Sequence, residues 1–328
     1  MSSTSIVDIF DLPHRRARAL LATGAPVFLT VDPVEYHGPH LPLNNDRIMS
    51  AAVVRALHAG LSSGRAEQPL IRADALPLGV EPAQGPGTRV SPYRVVKDLC
   101  ASACSALADL GARGIVVVTG HGSPLHSIAI QHAVRALTRR GIRAVAPFNV
   151  ILHALMDLPA TVLADAVATV PEHERDALRR SILRDFHAGF GETSLMLHWA
   201  PHVVDAVHLE LPDVDLSVPD AAAHRAARIA QALGRVQLAK ELDFAFYGLA
   251  WAKMRPFPGY TGRPRLANAE AGAVLARFAE ARMLEATRAV VEDGAAPPEP
   301  PMLWLERASL SGRIRGLSTP PSAVQVWS

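Results

Sequence analysis

Apolar positions along the chain follow two rhythms. Residues 25–31, 71–76, 114–119 and 142–148 are short, nearly unbroken apolar runs rich in branched side chains, the mark of strands buried on both faces. Between them, residues 47–59, 91–110 and 125–140 carry apolar residues at helical spacing. The first of these helices stops near Gly60, and the second opens on Ser91 and Pro92, a cap residue followed by a first-turn proline. Strands separated by helices predict an α/β fold with a mainly parallel central sheet covered on both faces. All carboxyl ends of such a sheet lie along one edge, where open α/β sheets place their ligands.

The rest of the chain is less rhythmic. Residues 1–24 read as a helix and its lead-in, with Asp11, Leu12 and Pro13 as the start. Residues 79–88 are rich in glycine and proline, which excludes regular structure and predicts a loop wrapped over a site. From Pro171 onward the pattern is mainly helical, over 172–185, after a turn at 187–192, and over 219–241 and 268–292. Residues 294–301 read as an extended linker, followed by a few apolar anchors at Leu303, Trp304 and Leu305. The expected organisation is a single domain over residues 1–293 with a Pro-rich C-terminal extension over 294–328.

Composition narrows the function classes. A chain of 328 residues, 49% hydrophobic and 20% charged, can bury a substantial core. A net charge of +2, scattered basic residues and only 5% aromatics give no nucleic-acid footprint. No apolar window is long enough for a membrane span. Arg15, Arg16 and Arg18 ahead of the apolar stretch 19–30 mimic a secretory signal, but Gly24 and Pro26 interrupt it, so that reading is rejected. The only cysteines, Cys100 and Cys104, lie four apart in a predicted helix; they exclude a disulfide framework and fit small core residues in a reducing cytoplasm.

Candidate chemistry sits just past the strands. In Val34-Glu35-Tyr36-His37-Gly38-Pro39-His40-Leu41-Pro42, the period of two of an extended segment puts Glu35 and His37 on one side. The turns at Gly38-Pro39 and Leu41-Pro42 then bring Asp46 back toward them. Carboxylate oxygens with imidazole nitrogens suit Zn²⁺, Mn²⁺ or Fe²⁺. His121 follows the strand at 114–119 between two glycines, so the shared sheet edge carries it toward Glu35, His37 and Asp46. His187 and Glu192 form a third cluster, Glu192 at the start of a helix. Three carboxylates and three imidazoles exceed the needs of one ion, and two ions sharing Asp46 is the economical arrangement.

The stretch from Glu35 to Pro42 with Asp46, the Gly120-His121-Gly122 triplet, and His187-Ala188-Gly189 with Glu192-Thr193-Ser194 resemble the creatininase family of metal-dependent amidohydrolases. Pro86-Gly87-Thr88, Gly259-Tyr260-Thr261-Gly262 and Glu270-Ala271-Gly272 agree more loosely. The resemblance implies a three-layer α/β/α sandwich, two divalent metal ions per chain, hydrolysis of a C–N bond in a small cyclic or linear amide, and a homo-oligomer such as a hexamer. Carried over by position, Glu35 and His121 hold one ion, His37 and Glu192 the other, Asp46 bridges them, and His187 donates the proton to the leaving nitrogen. Tyr36, Glu81, Thr88 and Ser123, in the loops around these ligands, are the expected substrate contacts.

The implied mechanism is attack by a metal-bridging hydroxide. The surroundings depart from the family pattern: Thr119-Gly120-His121-Gly122-Ser123-Pro124 replaces Asn-Gly-His-Gly-Gly-Asn, and Glu81-Pro82 replaces Glu-His. A retained cage in a rebuilt pocket argues against creatinine itself. Two other readings remain open: a peptidase trimming a ribosomally made precursor peptide, and a non-catalytic metal-binding or assembly protein of the same fold.

Overall fold

The computed structural model describes residues 5–63, 68–216, 221–314, 320–325 and 327. Five strands, β1 (Ile6–Asp8), β2 (Val27–Val31), β3 (Leu70–Leu76), β4 (Gly114–Val118) and β5 (Arg143–Val145), form one sheet in the order β1-β3-β2-β4-β5. Every pairing is parallel. The sheet edge is built as its pattern predicts: β2 and β4 lie side by side in the middle, with Val27 opposite Ile115 and Thr30 opposite Val118.

The helices of the first half are α1 (His14–Leu21), α2 (Asn45–Ser62), α3 (Tyr93–Leu110), α4 (Pro124–Arg139), α5 (Phe148–Leu155), α6 (Ala160–Ala168) and α7 (Glu172–Ser181). Those that follow are α8 (Phe190–Trp199), α9 (Ala221–Ala232), α10 (Val236–Ala252), α11 (Ala269–Val291) and α12 (Trp304–Ala308). Alternate strand residues serve two cores. Val27, Leu29, Ile115 and Val117 pack with Leu21 of α1, Val96, Cys100 and Leu107 of α3, and Ile128 of α4. Phe28, Val116 and Val118 pack on the other face with Val53 and Leu57 of α2 and Met283 and Val290 of α11. Two covered faces make the three-layer α/β/α sandwich, each fully buried branched or aromatic side chain contributing roughly 1.5–3 kcal/mol.

Four expectations are corrected. The first 24 residues contain β1, a three-residue edge strand too short to show a period, before α1 begins after Pro13. The fourth apolar run gives only Arg143–Val145 as strand, because Pro147 turns the chain into α5. The helix expected over 172–185 ends as α7 at Ser181, and a 3₁₀ turn over Ile182–Arg184 finishes the stretch. The long helix expected over 219–241 is broken at Gly234, whose φ of +72° ends α9, and α10 continues to Ala252. Asn268 caps α11 through its side chain, which accepts from Ala271 N–H at 2.9 Å.

The proline-rich segment after Asp293 is tied to the body at several of its described residues. Arg135 pairs with Glu299, Asn149 donates to the Pro298 carbonyl at 2.9 Å, and Glu306 accepts from Tyr93 at 2.8 Å. Farther on, Phe257 exchanges backbone hydrogen bonds with Ala323 and Gln325. No single helix among the described residues is long and apolar enough to cross a membrane.

Candidate metal centre

Three segments converge at the carboxyl edge of the sheet. Past β2, the Glu35 N–H donates to the Leu43 carbonyl at 2.9 Å, and the Asn45 N–H donates to the Pro42 carbonyl at 2.9 Å. That closed loop, turned by Gly38 at φ +65°, sets Glu35 and His37 opposite Asp46 in the first turn of α2. Past β4, Gly120 passes so close to α2 that a Cβ there would lie 2.6 Å from the Asp46 carbonyl oxygen. Glycine is required, and His121 arrives beside Asp46. The third segment precedes α8, where Ala188 at φ +47° directs His187 inward and Glu192 occupies the first helical turn, accepting from Ala188 N–H.

These residues form three overlapping triads, two of which share Asp46. Glu35, Asp46 and His121 make one, and His37, Asp46 and Glu192 the other, each with its ligand atoms mutually within 4.8 Å. Asp46 divides its oxygens between them: Oδ1 lies 3.1 Å from His37 Nε2, and Oδ2 lies 3.6 Å from His121 Nδ1. Glu35 Oε2 is 2.8 Å from His121 Nδ1, and Glu192 Oε1 is 3.8 Å from His37 Nε2.

The donor set fits divalent cations. Glu35 Oε2, His37 Nε2 and both Asp46 oxygens are buried without a hydrogen-bond partner, a costly condition that cations relieve. Each imidazole is also fixed from behind. His37 Nδ1 lies 3.0 Å from the Glu35 carbonyl and His121 Nε2 2.9 Å from the Val80 carbonyl. Donation to those carbonyls leaves His37 Nε2 and His121 Nδ1 facing the carboxylates, the nitrogens that would turn to a cation once their protons are displaced, in the outer-sphere arrangement of metal-binding histidines.

The electrostatics of the side chains alone follow from this crowding. Burial pushes His37 and His121 down, but the Asp46, Glu192 and Glu35 carboxylates outweigh it and raise them to about 10 and about 9. Burial likewise pushes Glu35 up, yet His121 and His37 bring it to about 2. Burial dominates at Glu192, which rises to about 7. Cations entering such a site must displace imidazole protons.

His187 joins Glu35 and His37 in a third triad whose ligand atoms also lie within 4.8 Å of one another, beside the two that share Asp46. Its Nε2 lies 2.9 Å from the Tyr36 carbonyl, and its Nδ1 faces Glu35 Oε1 at 3.7 Å. Its ring stacks on His37 with centroids 4.3 Å apart. Burial and the neighbouring His37 hold it neutral, well below the ordinary histidine range.

The expected substrate contacts separate into two pairs. Glu81 and Ser123 line a cavity of about 900 Å³ that opens onto the metal triads, and burial raises the Glu81 carboxyl above its ordinary value. Tyr36 and Thr88 are set back from that wall and brace the loop. The Thr88 hydroxyl accepts from Tyr36 N–H at 2.9 Å and donates to the Ala83 carbonyl at 2.8 Å, while the Tyr36 ring lies under Gly85 and Gly259. The 79–88 loop does cover the site: Val80 receives His121, and Ala83 N–H donates to Glu35 Oε1 at 2.5 Å.

Several supporting residues escaped the sequence reading. Asp32 Oδ1 accepts from Ser50 and from Gly120 N–H, both at 2.8 Å, joining the two loops below the triads. Burial and the nearby Asp46 raise its carboxyl to about 7. His126 bridges Val31 and Val80, and His40 reaches Thr193 at 2.9 Å. Thr261 grips the backbone of His187, and its place in Gly259-Tyr260-Thr261-Gly262 was the one available clue.

A sequence profile of the creatininase family, described as creatinine amidohydrolase, matches residues 11–287. Among solved structures, a crystal structure of creatinine amidohydrolase is similar with a TM-score of 0.56 at 19% identity, covering 87% of this chain and 98% of that one. A manganese creatininase gives 0.55 at 19% identity over 87% and 98%. A zinc–zinc form of a mutant creatininase gives 0.56 at 19% identity, again over 87% and 98%. No curated protein matches the sequence.

Proposed function

This chain belongs to the creatininase family, and from that premise we propose that it is an amidohydrolase that works with two divalent ions on an amide other than creatinine. The carrying observation is Asp46, whose two buried oxygens lack hydrogen bonds and face different imidazoles at 3.1 Å and 3.6 Å. That is the posture of a bridging carboxylate. Glu35 and His121 would complete the site on one side of it, and His37 and Glu192 the site on the other.

When bound, the cation pair acidifies a shared water and polarises the amide carbonyl. The chain's own residues do the remainder. His187, neutral at Nδ1 and fixed through Nε2 to the Tyr36 carbonyl, takes a proton at Nδ1 and returns it to the leaving nitrogen. Val80, Ala83 and the 79–88 loop hold His121 and Glu35 still and keep bulk water from behind the ligands. Thr119, Ser123 and Pro124 alter the pocket beside His121, which is why creatinine is excluded from the proposal.

Metal analysis of protein purified without chelator tests the reading. About two Zn²⁺ or Mn²⁺ ions per chain, lost in Asp46→Ala, together with chelator-sensitive hydrolysis in an amide panel, are the expected results. Less than about 0.2 ion per chain after adding both metals would overturn it.

A further inference from the structure

The cavity beside the triads is large and mainly apolar, and among the described residues no lysine or arginine lines it. Its volume of about 900 Å³ stands near the top of the roughly 300–1,000 Å³ that holds a drug-sized ligand, far more than a ring of a few atoms fills. Its apolar wall includes Phe244, Leu249 and Trp251 of α10, Leu183 before the site loop, and Met302 and Leu305 of the C-terminal segment. The profile match ends at residue 287, so the C-terminal part of this wall lies outside the family region. Leu183 and Leu249 remain 49% and 41% exposed, apolar surface that an occupant would cover.

The wall begins at the reacting centre. The Trp251 ring lies 4.9 Å from that of His187 and 4.9 Å from that of Phe257, and its Nε1–H donates to the Tyr260 carbonyl at 3.0 Å, which locks the indole in place. Charge gives the second constraint. The ionisable side chains lining the cavity are carboxylates and histidines, among them Glu81 and Asp185, and no lysine or arginine lines it among the described residues. Away from the metal centre, a substrate carboxylate or phosphate would find no lysine or arginine to pair with.

We infer that the substrate is an amide carrying a bulky apolar group and no anionic group, the apolar part seated on Phe244, Leu249, Trp251 and Leu305 beside the metal centre. This inference rests on the hydrolase reading and adds the substrate class to it.

Calorimetry on the zinc-loaded full chain with three hydroxamates tests it. Octanohydroxamate should bind at least about 30-fold tighter than acetohydroxamate, given the methylenes it buries. The monohydroxamate of suberic acid, of equal length but ending in a carboxylate, should bind at least about 10-fold more weakly than octanohydroxamate. Leu249→Glu should cut the octanoyl-to-acetyl affinity ratio below about 3, and the milder Phe244→Ala should lower it roughly 3- to 10-fold. Equal affinities, or tighter binding of the suberate, would overturn the inference while leaving the metal hydrolase intact. A chain that holds no zinc and binds no hydroxamate would overturn both. A Leu249→Glu variant that keeps the ratio but changes the oligomer mass would show the wall to be a subunit contact and overturn the inference as well.

Discussion

Thr261 holds His187 by its backbone. Its hydroxyl accepts from the His187 N–H at 3.2 Å and donates to the His187 carbonyl at 3.2 Å, and its own N–H donates to the same carbonyl at 2.9 Å. The hydroxyl also accepts from Phe186 N–H at 3.1 Å. Thr261→Val keeps the shape and strands buried backbone groups. We expect a loss of about 2–4 kcal/mol in urea unfolding and a fall in turnover larger than in substrate affinity. Unchanged stability would remove Thr261 from this role.

His187→Ala separates proton transfer from metal holding. Both ions should remain, as counted by elemental analysis, while turnover drops roughly 10²-fold or more. Turnover within about 3-fold of the parent would take His187 out of the mechanism.

Gly120, just past β4, runs close against α2, and a methyl group there would meet the backbone of Asp46 rather than a movable side chain. Gly120→Ala should cost about 1–3 kcal/mol in stability and release metal by pushing His121 away from Asp46. Normal metal content in this variant would contradict the geometry.

Two buried histidines outside the Asp46 triads should each add an acid-sensitive share to stability, opposed by Asp32 and Glu192, whose carboxyls burial raises to about 7. An unfolded histidine titrates near pH 6.5, whereas burial, reinforced by neighbouring imidazoles, holds folded His126 and His40 down to about 3. Below pH 6.5 these two positions therefore bind protons in the unfolded chain and not in the folded one, and their share of stability is lost as pH falls from about 6.5 toward 3. The slope is roughly 1.4 kcal/mol per pH unit for each such group. Unfolding with excess chelator at pH 6.5 and pH 5.0 should show this, and His126→Gln should flatten the slope. An identical slope in that variant would refute the assignment.

The convergence of ligands was legible because parallel strands share one edge: Glu35 and His121 follow β2 and β4, two uninterrupted apolar runs that pair directly. Asp46 was legible because two proline turns precede it. The brackets around the site were not, since Asp32 reaches Gly120 across 88 positions and Thr261 reaches His187 across 74; no local rhythm encodes such contacts. β1 escaped because three edge residues show no period, and the break at Gly234 was hidden within a long Ala-rich stretch that favours helix on both sides.

The ligands come from residues 35–192, and part of the wall facing them comes from residues 302–314. Part of the surface proposed to choose the substrate therefore lies on a length of polypeptide that carries no candidate ligand. On the proposed reading, a lineage built this way can exchange one terminal segment and acquire a new diet while the metal-binding residues stay untouched.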